Sequence, residues 1–170
     1  MSDKSYLSVY AKSFSWAGFF LPRETLKKCS VLYDFCRVAD NIADDKDEIE
    51  VKEKKFAEFE NDFNQKKFDN LIIKNMWGIM EEFNISIKIV QDLLAGIKSD
   101  IKEKVEINSK KELLIYSYRV AGTVGLMMAK ILNVTKKNSL KSAIDLGIAM
   151  QLTNISRDVT EDSKNNRFYI

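Results

Sequence analysis

Apolar residues recur three to four positions apart along nearly the whole chain, with polar residues between them, which is the spacing of amphipathic helices. Tyr6 to Phe20 predicts a first helix, stopped near Leu21-Pro22 because proline cannot continue the hydrogen-bond ladder. Pro22 suits the first turn of a second helix through Leu26, Val31, Phe35 and Val38 to about Asp45. The charged stretch Asp47 to Lys67 reads as a solvated helix with Phe56 and Phe59 turned inward. Leu71 to Phe83 and Ile85 to Ile101 follow as two helices divided near Asn84, then Lys110 to Leu132 and Ser139 to Asp162. With no internal repeat, low-complexity tract or linker, residues 1–170 read as a single all-α domain.

Composition narrows the chemistry. One proline and six glycines in 170 residues are too few turn formers for a many-stranded β fold. With 45% hydrophobic and 31% charged residues the balance is that of a folded domain. The net charge of +2 gives no general attraction to nucleic acid, and none is expected as a partner. The absence of histidine excludes Ser-His-Asp and Cys-His catalysis and any His-ligated zinc. Carboxylate, guanidinium, phenol and amide remain, groups that suit hard cations and phosphates. Cys29 and Cys36 fall on one helix face about 10 Å apart along the axis, too far to bridge, and read as packing residues in a reducing compartment. There is no signal-peptide core, and the longest uncharged stretch, Val120 to Ala129, is far short of a membrane span. A cytoplasmic protein is expected, with peripheral membrane contact left open.

Two stripes of polar residues stand out. Asp40 and Asp44 sit one turn apart on one face of the second helix, and Asn154, Asp158 and Asp162 repeat that spacing near the chain end, with Gln151 one turn earlier. Carboxylates at i, i+4 repel one another by a few tenths of a kcal/mol, and one such pair is commonly just a wet surface. The second stripe differs, because its helix begins with the apolar run Ala143 to Leu152 and carries Gln and Asn on the same side. Polar groups at core-facing positions need partners, and magnesium ions against a diphosphate would supply them. Arg37 and Arg157 either pair with the neighbouring aspartates or present planar forks to diphosphate oxygens.

These residues resemble a known family. The segment from Tyr33 through Arg37 and Asp40 to Asp44 looks like the first aspartate-rich motif of squalene/phytoene synthases. The segment Gln151 to Asp162, followed by Asn166-Arg-Phe-Tyr169, is similar to their second, and Ser13-Phe-Ser-Trp and Tyr116 to Gly125 add two further matches in order. The resemblance implies an isoprenoid synthase helical bundle around a hydrophobic cavity, and a prenyltransferase that joins two prenyl diphosphates head to head through a cyclopropyl diphosphate. Geranylgeranyl diphosphate to phytoene, in carotenoid biosynthesis, is the implied reaction. A squalene- or hydroxysqualene-forming relative using farnesyl diphosphate is the alternative, and a non-catalytic assembly factor of the same fold is an alternative of another kind.

Carried over residue by residue, Asp40, Asp44, Asn154, Asp158 and Asp162 would hold magnesium, with manganese as a substitute. Lys12, Ser13, Arg37 and Arg157 would contact diphosphate, and Tyr33 and Gln151 would line the substrate site. Phe14, Tyr33 and Tyr118 would offer aromatic faces to an allylic cation, ordinary core packing being the competing reading for Phe14 and Tyr118. NADPH enters only if squalene is formed. Gly122 and Gly125 imply either close helix approach or room for a prenyl chain. Two departures matter: Asn41 stands where many members carry an aspartate, and Ile170 falls where the family continues with a proline and more helices. The resemblance therefore implies an incomplete chain whose C-terminal helices are missing. Oligomeric state is not legible.

Overall fold

A computed structural model describes Gly18 and residues 20–169. Helix α1 spans Arg23–Ala43, α2 Ile49–Asn64, α3 Leu71–Glu82 and α4 Ile87–Lys98. After strand β1, Val105–Glu106, a long rod is built from α5, Lys110–Ser117, a π-helical turn, Tyr118–Gly122, and α6, Thr123–Ile131. Helix α7, Lys137–Lys164, and strand β2, Arg167–Phe168, complete the described chain. The predicted Tyr6 to Phe20 helix lies outside the described residues.

Local chemistry sets these boundaries. Pro22 stands just before α1 with extended ψ, and its carbonyl accepts from Leu26 N at 2.9 Å. Asn70, Ser86 and Ser109 cap α3, α4 and α5 by accepting from backbone N–H groups of the first turn. At α5 the Glu112 carboxylate also accepts from Asn108 N at 2.9 Å, so loop and helix are tied reciprocally. Helix ends use asparagine where glycine is more usual. Asn84, Asn133 and Asn166 all have positive φ, and the amides of Ile85 and Val134 donate five residues back to Met80 and Ala129, each at 2.9 Å. A chain with six glycines can thus still turn sharply.

The core lies among α1, α2, α3, α4 and α6. Leu32 and Phe35 of α1 meet Phe56 and Phe63 of α2, Ile73 and Met76 of α3, Leu93 and Leu94 of α4, and Met127 and Ile131 of α6, all fully buried. The Phe35 ring centroid is 5.4 Å from those of Phe59 and Phe63, and the Trp77 ring stacks on Phe63 at 5.3 Å. The Trp77 indole donates to Phe63 O at 3.0 Å, so burial leaves its polar edge satisfied. Cys29 is buried and Cys36 half-buried, both as free thiols.

Helix α7 packs on the α5–α6 rod almost backbone to backbone. A Cβ placed on Gly125 would stand 2.3 Å from Ala143 O, and one on Gly147 would stand 2.3 Å from Ala121 O. Close helix approach, one of the two compatible readings of Gly125, is realised here. The rod itself departs from the single uninterrupted helix predicted over Lys110 to Leu132. In its π turn Thr123 N donates to Tyr118 O, one residue further back than in an α-helix, and the Thr123 hydroxyl donates to Arg119 O at 2.6 Å. Such turns rotate the following side chains and often stand beside functional sites.

The two strands form a short parallel pair, Val105 opposite Arg167 and Glu106 opposite Phe168. Val105 N donates to Asn166 O and Ile107 N to Phe168 O, both at 2.9 Å. This tie sets β2 against α7 and brings Tyr169 to Asp100, just past the end of α4.

Candidate active site

One face of α1 is committed to the core through Cys29, Leu32, Phe35, Ala39 and Ala43. Asp40 and Asp44 follow the last two of these residues, so the helix that buries the alanines carries both carboxylates to the edge of the core. On α7, Ile155 is buried while Gln151, Asn154, Asp158 and Asp162 run along the same side. The two stripes meet across a cavity of about 260 Å3 whose walls include Asp40, Asp44, Gln151, Asn154, Asp158 and Asp162. The remaining wall comes from Asp100, Tyr116, Val120, Arg167 and Tyr169, with Ala43, Ile97 and Ile155 at its base. Polar groups dominate this surface, and its size sits near the lower limit of small-molecule pockets, roughly 300–1,000 Å3. It suits an ionic head group rather than a long hydrocarbon.

The carboxylates are not equivalent. Burial pushes the Asp40 carboxyl up to about 6, helped by the charge of Asp44 and opposed by Arg37 and Arg167. Burial raises Asp100 as well, against hydrogen bonds from Tyr116 and Tyr169. Desolvation raises Asp162. Asp158 moves the other way, because the Arg157 guanidinium donates to both of its oxygens, at 2.7 and 2.5 Å. Arg167 Nη2 donates to Asp44 Oδ1 at 2.6 Å. Burial works against the Arg167 charge, but the hydrogen bond and charge of Asp44 outweigh it and hold the guanidinium protonated.

Asp100 sits just past the end of α4 and gathers two phenols. Tyr116 donates to its Oδ2 at 2.8 Å and Tyr169 to its Oδ1 at 3.0 Å, with the two phenol oxygens 3.2 Å apart. Each hydroxyl has one proton, and each can place it on Asp100. The two rings stack at 4.9 Å between centroids, and burial pushes both phenols up.

The cavity therefore gathers six of the residues singled out in the sequence. Four others stand elsewhere. Tyr33 and Arg37 precede Asp40 on α1 but do not line the cavity, Tyr118 lies in the π turn beside Gly122, and Arg157 faces solvent. Lys12, Ser13 and Phe14 lie outside the described residues. Sequence reasoning gave no role to Asp100, Tyr116, Arg167 or Tyr169. Asp100 fell at the end of the predicted Ile85 to Ile101 helix with no stripe to mark it, and its partners lie 16 and 69 positions away.

The residues present fit a hard divalent cation. The metal-ligating atoms across the cavity are oxygens, and Asp40 is a half-buried carboxylate acted on by desolvation and by charges, with no hydrogen bond among the described residues that favours its ionised form. Among the described residues no three acidic side chains already converge on one point. Magnesium does not require that, because it commonly takes one or two protein carboxylates and completes its shell with water and phosphate.

The family model for squalene/phytoene synthase matches residues 7–170, nearly the whole chain and both stripes. The chain belongs to the squalene/phytoene synthase family. Among its relatives in that family, a 15-cis-phytoene synthase of Pantoea ananas is 30% identical over 176 residues, covering 96% of this chain and 57% of its own length. A chloroplastic phytoene synthase 1 of Solanum lycopersicum is 31% identical over 171 residues, covering 95% of this chain and 41% of its own. The crystal structure of a dehydrosqualene synthase with a ligand matches at a TM-score of 0.77 and 32% identity, over 96% of this chain and 57% of that one. The squalene synthase HpnC from Alicyclobacillus acidocaldarius matches at 0.79 over 94% of this chain and 61% of that one, and at 17% identity it speaks for the shared fold alone. The chain thus spans less than two thirds of the length of these relatives. No helix among the described residues is long and apolar enough to cross a membrane.

Proposed function

We propose that this chain supplies the metal- and diphosphate-holding part of a prenyltransferase that condenses two prenyl diphosphates head to head. The proposed reaction runs through a cyclopropyl diphosphate, from C20 geranylgeranyl diphosphate to phytoene. The observation that carries the reading is the facing of Asp40 and Asp44 with Asn154, Asp158 and Asp162 across one polar cavity. Its chemistry asks for cations and an anionic ligand together, and relatives at 30 and 31% identity are named phytoene synthases. The protein would work in the cytoplasm, at most at a membrane surface.

Magnesium, or manganese in its place, held by those five residues, would act as a Lewis acid on the departing diphosphate. Arg167 stands inside the cavity wall, ready to exchange Asp44 for a diphosphate oxygen, while Gln151 orients the head group by hydrogen bonding. Arg37, Arg157, Lys12 and Ser13 are the further diphosphate contacts that the family implies, and Tyr33 a substrate contact. Tyr118 and Phe14 would face the allylic cation, each such contact being worth ~0.5–2 kcal/mol. A cavity this small and polar holds the head groups, so the prenyl chains need apolar walls beyond it.

A C15 reaction is the second reading, favoured by the 32% identity to a dehydrosqualene synthase of known structure. Incubating the full gene product with C15 or C20 prenyl diphosphate and magnesium, with and without NADPH, separates the two. A C40 hydrocarbon lost in Asp40→Ala and Asp158→Ala is the expected result. A C30 product keeps the mechanism and changes the substrate. No product and no magnesium-dependent diphosphate binding from a folded protein would overturn the proposal.

A further inference from the structure

We propose that Asp100 is a positioning residue that aims Arg167 at Asp44 through the phenols of Tyr116 and Tyr169. This role in the reaction rests on the function proposed above. Three segments distant in sequence converge on the Asp100 carboxylate: the end of α4, the α5 helix through Tyr116, and the residue after β2 through Tyr169. In a strand, residues two apart face the same way, so Arg167 and Tyr169 point together into the cavity while Phe168 points out.

The backbone of β2 is tied to β1, with Val105 N donating to Asn166 O and Ile107 N to Phe168 O, and the Tyr169 side chain is fixed at Asp100. Arg167 lies between these anchors, and its Nη2 reaches Asp44 Oδ1 at 2.6 Å. Tyr116 locks the arrangement, stacking on the Tyr169 ring at 4.9 Å and donating to the other oxygen of the same carboxylate. Asp100 also adds its negative charge to the field that holds the guanidinium in place. A carboxylate that accepts from two phenols is thus spent on geometry rather than on a cation. It decides where the Arg167 guanidinium, the one lining the cavity among the described residues, stands before substrate arrives.

The test follows exchange of the Arg167 guanidinium protons with water by NMR in the full protein with labelled arginine, assigned with Arg167→Lys. Asp44→Asn should speed that exchange by about fivefold, the equivalent of roughly 1 kcal/mol. Asp100→Ala and Tyr169→Phe should approach the same acceleration although neither touches Arg167, and Asp100→Asn should recover part of it because its amide oxygen still accepts from one phenol. Wild-type exchange in folded Asp100→Asn and Tyr169→Phe, or no change in Asp44→Asn, would overturn the proposal. If Asp100→Ala does not fold, the two milder variants decide. Binding of inorganic diphosphate with magnesium is measured in parallel and should weaken several-fold in the same variants. Failure of the wild type to bind would sink the proposed reaction, whereas the exchange data would still judge the link from Asp100 to Arg167.

Discussion

Arg167 and Asp44, 123 positions apart, are joined by a 2.6 Å hydrogen bond across the mouth of the acidic cavity. The pair places a fixed positive charge against the first stripe, and a metal ion must compete with it for Asp44. Arg167→Gln should therefore bind magnesium more tightly in the absence of diphosphate and bind magnesium–diphosphate less tightly. Because Asp44 is half exposed, the pair is worth no more than about 1 kcal/mol. Each effect should amount to about two- to fivefold by calorimetric titration. Changes of the same sign in both titrations would show that Arg167 does not exchange one partner for the other.

Asp40 makes stability fall with pH. Its carboxyl titrates near 3.8 ordinarily and at about 6 in the folded protein, chiefly through burial. Between those values the unfolded chain releases a proton that the folded chain retains, so stability declines as pH rises from about 4 and the cost is full above about 6. Two units correspond to at most about 3 kcal/mol. Asp40→Asn should raise the urea midpoint of the metal-free protein at pH 7.5 and leave it nearly unchanged at pH 3.5. Magnesium, which needs the carboxylate, should bind the wild type more weakly below pH 6.

Gly147→Ala should be costly out of proportion to one methyl group. The new Cβ would meet a backbone carbonyl, Ala121 O, at 2.3 Å, so the helices must move apart. Overpacking of this kind costs about 1–3 kcal/mol, and more where backbone yields. Gly78→Ala is the matched control: nothing lies within 4 Å of its Cβ position, and relief from helical glycine should stabilise by about 1 kcal/mol. Thermal melts of the two variants should shift in opposite directions.

Phe63 ties α2 to both α1 and α3 through its contacts with Phe35 and Trp77 and the carbonyl that accepts the indole N–H. Phe63→Ala should lose about 3–5 kcal/mol. Phe68→Ala, at a ring left 45% exposed, should lose little. Equal losses in denaturant melts would mean that the aromatic cluster is not the centre of the core.

Helix order and both stripes were legible in the sequence because each depends on residues three or four apart. Asp40 with Asp44, and Asn154 with Asp158 and Asp162, keep their face wherever the helix goes. Asp100, Tyr116 and Tyr169 carry no such local mark. Their hydrogen bonds depend on a strand pair only two residues long, and Val105–Glu106 has no alternating run to announce it. The π turn at Tyr118 was hidden for a related reason, since one extra residue in a helical repeat leaves the apolar spacing nearly intact. Arg157 shows what proximity in sequence does report. Next to Asp158 in sequence, it pairs with that aspartate from the solvent side, whereas the arginine that lines the cavity, Arg167, comes from beyond the helix.

The parallel tie between β1 and β2 also sets an order of events during synthesis. The contacts among α1, α2, α3 and α4 are available once those helices leave the ribosome, whereas Tyr169 reaches Asp100 only after a further 69 residues have emerged. The acidic cavity is therefore the last part of the described chain to close. Held by a strand pair only two residues long, it is also the part most easily reopened without disturbing the core.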